Sequence, residues 1–355
     1  MNAAVLRAGR ALGKVHGGAV TLAHGAGGRA MKDLIDDVFI ASFDGASRTP
    51  LEDQARFDIA ALAAKGDRLA FTTDAFVVDP LFFPGDDIGK LAVCGTINDL
   101  AVGGAVPLYL SCAVIVEEGT PVDLLRRVAQ SMAQTAAEAG VQIVTGDTKV
   151  VNKGACDKLF ITTSGIGVIR LGVQLGVQQA RPGDAVLVNG VLGDHGAAIL
   201  EARGELALRS PITSDCGALH DLVDVLLAAA PGVRCLRDAT RGGAATVFNE
   251  IAEASATGIE IDERSLPIRG EVRAFCEILG LDPLYLANEG KLVAIVPDDQ
   301  SDAALAALRA HPLGRHAAIV GRVTDGEAGR VTVRTVSSGR RVLDMLVGDQ
   351  LPRIC

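Results

Sequence analysis

Short β-branched or apolar runs alternate with stretches of helical spacing along most of the chain. Runs over 69–73, 106–116, 141–145 and 159–169 are bounded by Gly and Asp and predict strands. Between them, 88–102 and 122–140 predict helices, the second with Leu124, Leu125, Val128, Met132, Thr135 and Ala136 on one face. A turn cluster, Ala180-Arg181-Pro182-Gly183-Asp184, opens a second series. Strands are predicted there over 185–189, 284–286, 292–297, 317–323 and 331–336. Helices are predicted over 193–202, 217–229, 242–256, 270–280 and 302–310. The class is α/β (α+β), with domains over 45–172 and 178–342, a Gly-rich arm over 1–44 and a flexible tail over 343–355. A loop with a turn at Pro50 leads into the first domain. Two helices do not cover the strand surface of that domain, so exposed strand edges and apolar faces there need a partner.

With 355 residues, each domain can bury a core of its own. Hydrophobic residues are 49%, aromatics 3% and Trp absent, so Val, Leu, Ile and Ala must build those cores. A net charge of −9 without a basic stripe argues against a nucleic-acid partner. It leaves an anionic ligand open, because local loops and metal ions decide that. The seven cysteines form no C-x-x-C pair and are odd in number, which fits a reducing cytoplasm better than disulfides or structural zinc. Arg7, Arg10 and Lys14 interrupt any signal-peptide core, and no apolar run reaches the roughly 18 residues of a membrane span. A soluble, cytoplasmic protein with no membrane partner is expected.

Candidate chemistry lies in three places. The chain ends Pro352-Arg353-Ile354-Cys355, and a thiol at a chain end is a nucleophile and an attachment point rather than a packing group. Asp53, Asp74, Asp99, Asp147 and Asp238 stand where strands or helices meet loops. Each alone reads as a cap or turn residue; five together suit Mg²⁺, which takes oxygen ligands, waters and substrate phosphates. The loop His24-Gly25-Ala26-Gly27-Gly28-Arg29 either cradles phosphate through its backbone N–H groups or is simply a turn. Gly85 to Lys90 has the wrong spacing for a Walker-type loop, and no strand–Asp arrangement follows 25–30 as a dinucleotide site requires.

Several segments resemble the HypE family of [NiFe]-hydrogenase maturation proteins. They are 22–28, 71–78, 80–85, the Gly89 to Leu100 block with Asn98-Asp99-Leu100, Thr145-Gly146-Asp147-Thr148-Lys149, Asp238-Ala239-Thr240-Arg241-Gly242-Gly243, Asn288-Glu289-Gly290 and the Pro-Arg-Ile-Cys end. The likeness covers nearly the whole chain. Wider relatives are the aminoimidazole ribonucleotide synthetase (PurM-like) enzymes, with selenophosphate synthetase and thiamine monophosphate kinase. The resemblance implies a two-domain PurM-like fold, a homodimer through the N-terminal domain, and an ATP–Mg²⁺ cleft. It implies that a carbamoyltransferase, HypF, loads the terminal cysteine. This chain would then dehydrate the thiocarboxamide to a thiocyanate, a cyanide donor for the iron held by a HypC–HypD complex. Carried over residue by residue, it makes Cys355, Glu289 and Lys149 catalytic. Asp74, Asn98, Asp99, Asp147, Asp238, Gly27 and Gly28 would hold the nucleotide, and Asp53, Asp74, Asp99, Asp147 and Asp238 the metal. Two other readings compete. A non-enzymatic carrier leaves the aspartates and glycine loops without work, and a small-molecule kinase or synthetase leaves Cys355 idle.

Overall fold

The computed structural model describes residues 15, 18–43, 52–204, 211–348 and 353–355. The expected turn at Pro50 and the stretch 349–352 of the tail lie outside them.

The first domain is a four-stranded sheet with helices on one face. Its strands are β1 (Arg68–Phe76), β2 (Ala105–Glu117), β3 (Gln142–Val151) and β4 (Leu159–Ile169), in the spatial order β1-β4-β2-β3. Helix α1 (Ile88–Val102) precedes β2, and α2 (Val122–Glu138) is the crossover that the parallel β2–β3 pair requires. Asp87 starts α1 by accepting the N–H groups of Gly89 and Lys90 at 2.7 and 3.3 Å. The two helices differ in kind. Along α2 one stripe is buried, including Leu125, Val128, Met132 and Ala136. By contrast α1 is buried nearly all round, because Ile97 packs in the first core while Ala101 and Val102 join a core of the second domain.

Along β2 the pleat sends Leu110, Cys112, Val114 and Val116 into the core. Tyr109, Ser111, Ala113 and Ile115 lie on the opposite face, which no described helix covers. Phe71 is 72% exposed there.

The second domain holds β5 (Ala185–Val188), β6 (Cys235–Asp238), β7 (Gly258–Asp262), β8 (Leu292–Val296), β9 (Ala318–Thr324), β10 (Val331–Arg334) and β11 (Arg340–Val342). They form one sheet in the order β11-β10-β7-β9-β5-β8-β6. Helices α3 (Asp194–Ala202), α4 (His220–Ala229), α5 (Gly243–Ser255), α6 (Gly270–Leu279) and α7 (Ser301–Ala310) surround it. Phe248 and Ile251 of α5 meet Val186, Val188 and Val293 on one face; Leu222, Leu226 and Leu308 meet Leu187 and Ala294 on the other. Both faces are covered, so β5 and β8 are apolar and buried throughout.

Three expectations are corrected. The strand expected over 284–286 is a 3₁₀ turn, Pro283–Tyr285, because Pro283 fixes its φ and Asp282 caps Leu284 N–H at 3.0 Å. Strands β6 and β7, short and carrying Arg237, Asp238 and Glu260, were not expected at all. The arm is helical over Arg29–Leu34, Ile35–Ile40 and Ala41–Phe43. It is tied to the first domain by Leu34 and Val38 in the core and by Asp37, which accepts from Arg126 Nη2 at 2.6 Å. No disulfide joins the described cysteines, and no described helix is long and apolar enough to cross a membrane.

Candidate active site

A pocket opens between the two domains. Thr73 and Asp74 reach it from the end of β1, Asp99 from α1, Asp238 from the end of β6, and Glu289 from the loop before β8. Cys355 lines the same pocket.

The Asn288-Glu289-Gly290 loop shows how local sequence fixes a functional side chain. Asn288 Oδ1 accepts Gly193 N–H at 2.7 Å, and its Nδ2 donates to the carbonyls of Ala239 and Leu286. Glu289 N–H donates to Asp215 Oδ1 at 3.0 Å, and Lys291 Nζ donates to Asp215 Oδ2 at 2.8 Å. Gly290 is required because a Cβ there would run into the Asp215 carbonyl. With its backbone so held, Glu289 is 2% exposed and its Oε1 has no hydrogen-bond partner among the described residues.

The carboxyls of the pocket disturb one another. Burial, then the charges of Asp215, Asp238 and Asp74, pushes Glu289 well above the usual carboxylate range. Burial and then Asp99 raise Asp238 to about 6. Burial and the neighbouring Asp74 also raise Asp99, although its Oδ2 accepts the Thr72 hydroxyl at 2.8 Å. Such a group favours an arriving cation. Among the described residues no three acidic, His or Cys side chains are placed to enclose a metal ion alone.

Positive groups stand opposite. Arg237 and Arg241 line the pocket, Arg237 donating to Glu250 at 2.8 Å. Thr240 and Arg241 lead into the N-terminus of α5, an end that favours an anion such as phosphate. Gly243 has φ 62° and sits against the carbonyls of Leu284 and Leu286, which leaves no room for a side chain. In the sequence this segment stands out for its aspartate; only the fold brings its arginines to the pocket.

The tip of the tail, expected to be flexible and outside any core, is docked. Val77 N–H donates to a terminal carboxylate oxygen of Cys355 at 3.0 Å, and Asp79 N–H to the Arg353 carbonyl at 3.2 Å. Ile354 is 6% exposed within the first core, Arg203 Nη2 holds the Arg353 carbonyl at 2.8 Å, and Arg353 pairs with Asp157 at 2.6 Å. The cause is an apolar residue just before the cysteine, which packs while the backbone pairs with the segment after β1.

The pocket thus gathers Asp74, Asp99, Asp238, Glu289 and Cys355, but not the rest of the expected set. Asn98 faces elsewhere: its Nδ2 donates to Gly217 and Glu289 carbonyls at 3.0 and 3.2 Å, and its Oδ1 accepts Leu219 N–H at 2.8 Å. It clamps α1 to the second domain and does not line the pocket. Asp147 and Lys149 point to the open face of the first sheet, since Thr148 and Val150 between and after them point inward. Gly27 and Gly28 lie in the turn before Arg29–Leu34, near β3 through the Gly25–Val150 approach, and do not line the pocket. Asp53 is exposed and does not line the pocket. Three polar residues behind the pocket, His195, Asp215 and Lys291, were missed; they lie far apart along the chain, in no motif whose spacing marks them.

Comparison with known proteins places the fold in a family. Residues 52–169 match the N-terminal domain model of the AIR synthase related proteins, and 181–334 the C-terminal one. A carbamoyl dehydratase HypE from Rhodobacter capsulatus is 61% identical over 336 residues, covering 95% of this chain and 98% of that protein. A crystal structure of the hydrogenase maturation protein HypE in complex with ATP superposes with a TM-score of 0.89 at 49% identity, over 94% of this chain and 99% of that one. A HypE–HypF complex gives 0.76 at 48% identity, over 78% and 90%.

Proposed function

The chain belongs to the HypE carbamoyl dehydratases of hydrogenase maturation, within the AIR synthase related proteins, and we propose that its substrate is its own carbamoylated Cys355. On this reading ATP activates the S-bound carboxamide, which loses water and stays on the sulfur as a thiocyanate, the cyanide donor for hydrogenase iron. The observation that carries it is the terminal cysteine in the same pocket as Glu289 and three aspartates.

The carboxamide oxygen is a poor leaving group. Transfer of the γ-phosphoryl group to it leaves ADP and converts it to phosphate, and such transfer is mostly positioning and charge neutralisation. The N-terminus of α5 with Arg241 would hold the phosphates. Asp74, Asp99 and Asp238 would hold Mg²⁺, which supplies charge neutralisation when bound. The nitrogen gives one proton to solvent as the oxygen is phosphorylated; the C–O bond then breaks to release phosphate as the second proton leaves, forming C≡N. Glu289 takes a proton from that nitrogen, and its burial gives the ionised carboxylate a high proton affinity.

Asp147 and Lys149 enter through assembly. The open face that carries them is apolar enough to pair with its copy, so a homodimer would bring them toward a pocket from the other subunit. A carbamoyltransferase of the HypF kind would load the thiol, for which the tip must leave the cleft, and a HypC–HypD scaffold would receive the cyanide.

The test is ATP turnover with and without a carbamoyl group on Cys355, joined to mass spectrometry of the C-terminal peptide. Loss of one water from the loaded peptide, dependent on ATP, is expected. Turnover indifferent to the carbamoyl group would point instead to a free small-molecule substrate.

A further inference from the structure

His195 begins the first turn of α3 and is completely buried. Its Nε2 lies 2.8 Å from the carbonyl oxygen of Ile354, the residue before the terminal cysteine, and its Nδ1 lies 2.9 Å from Ser214 Oγ. Ser214 Oγ accepts the N–H of Cys216 at 3.2 Å, which leaves its own proton to be given to Nδ1. Burial holds the imidazole below its ordinary pKa and hence neutral. The single ring proton therefore sits on Nε2 and is donated to Ile354. The chain of bonds runs one way, from the Cys216 amide to the tail, and each member has its partner. Phe83 packs edge-on against the ring at 5.6 Å and fixes its plane.

We propose that His195 and Ser214 are a positioning pair that holds the docked tail by its last peptide carbonyl and so aims the S-carbamoyl group of Cys355 at Glu289. This rests on the reading of the tail as substrate. That carbonyl belongs to the planar peptide unit that carries the Cys355 nitrogen, so fixing it fixes the N–Cα bond, and the Val77 contact at the Cys355 oxygen then limits rotation about it. The same short segment also sets the other partner of the reaction. Asp215, next to Ser214, takes the Glu289 N–H at 3.0 Å and the Lys291 ammonium at 2.8 Å. Tail and proton acceptor are thus both tied to the adjacent residues 214 and 215.

The experiment uses the full-length protein carbamoylated on Cys355, with ATP and Mg²⁺, and follows water loss on the C-terminal peptide by mass spectrometry. A second reading on the same peptide is the rate at which iodoacetamide alkylates unloaded Cys355. His195→Leu keeps apolar bulk without the donor, and His195→Gln places an amide N–H near the position of Nε2–H. His195→Leu is expected to slow conversion about 100-fold, as a misplaced reacting group does. It should also speed alkylation about tenfold, as loss of one buried hydrogen bond does. His195→Gln should restore most of both, with ATP affinity unchanged throughout. Ser214→Ala, which removes a single oxygen and should not disturb folding, lets the ring proton move to Nδ1, and should slow conversion by roughly twofold to tenfold. Wild-type rates for His195→Leu in both readings, or a folded His195→Gln as impaired as the leucine variant, would overturn the pair. Failure of the wild-type protein to convert its carbamoyl group would instead bring down the tail-as-substrate reading itself.

Discussion

The two sheets of this chain bury their faces by different means. The seven-stranded sheet is covered on both sides by its own helices, and its central strands β5 and β8 expose nothing. The four-stranded sheet is covered on one side only, and its other face presents Phe71, Ile115, Asp147 and Lys149 to solvent. The contrast separates two duties. A sheet closed on both faces is a stiff mount, and from it hang the Asp238 turn, α5 and the Glu289 loop. A sheet open on one face is unfinished without another surface. Asn98 joins the halves by gripping the backbone that carries Glu289.

The sharpest test of the stiff half is Glu289→Gln. Conversion of the carbamoylated tail should fall by about 10²- to 10⁴-fold, with ATP binding retained, because a positioned base is lost and little shape changes. Mass spectrometry after ATP addition reads it directly, and full conversion would remove Glu289 from the reaction. Phe248→Ala addresses the mount itself. Phe248 is 0% exposed, so the variant should lose about 3–5 kcal/mol by denaturant titration. A loss under about 1 kcal/mol would mean that the second sheet is not the tightly closed unit described.

The open half predicts the opposite response. Phe71→Asp, at a side chain 72% exposed, should leave the unfolding midpoint almost unmoved and shift the solution mass from two subunits to one. An unchanged two-subunit mass would show that this face is not the contact. Conversion should fall with the mass if Asp147 and Lys149 act across it. The smallest effect concerns charge in the pocket that both halves line. Asp238 rises from 3.8 to about 6 on folding, so the native state holds more protons than the unfolded chain between those values. Its charge therefore weakens the ligand-free protein as pH rises through that window. Asp238→Asn should melt slightly higher than wild type above pH 6 and equally below about 4, while binding Mg–ATP less well. A melting difference independent of pH would contradict the assignment.

Much of the architecture was legible in the spacing of apolar residues. The expected helix over 88–102 and strand over 159–169 are found with the same bounds, and the long β2 run announced an under-covered sheet. The misses share a cause. Short strands such as β6, with Arg237 and Asp238 in four residues, lack a period long enough to read. At 284–286 the apolar residues were visible, but Pro283 and the Asp282 cap outweighed them. For β3 the expectation stopped at 145, and so the alternation that turns Asp147 and Lys149 outward was never applied to them.

What the sequence determined by itself is what local periodicity and residue chemistry dictate: two α/β layers, aliphatic cores, a thiol at the tip, and acidic residues at the ends of elements. The tertiary structure alone decided which of them meet. Asp74, Asp99, Asp238, Glu289 and Cys355 come from both domains and from the chain end, and no spacing along the chain encodes an approach between such distant positions. It also decided that Asn98 is a clamp and that the tail is seated. Both outcomes depend on backbone groups whose free partners exist only once the two domains have packed.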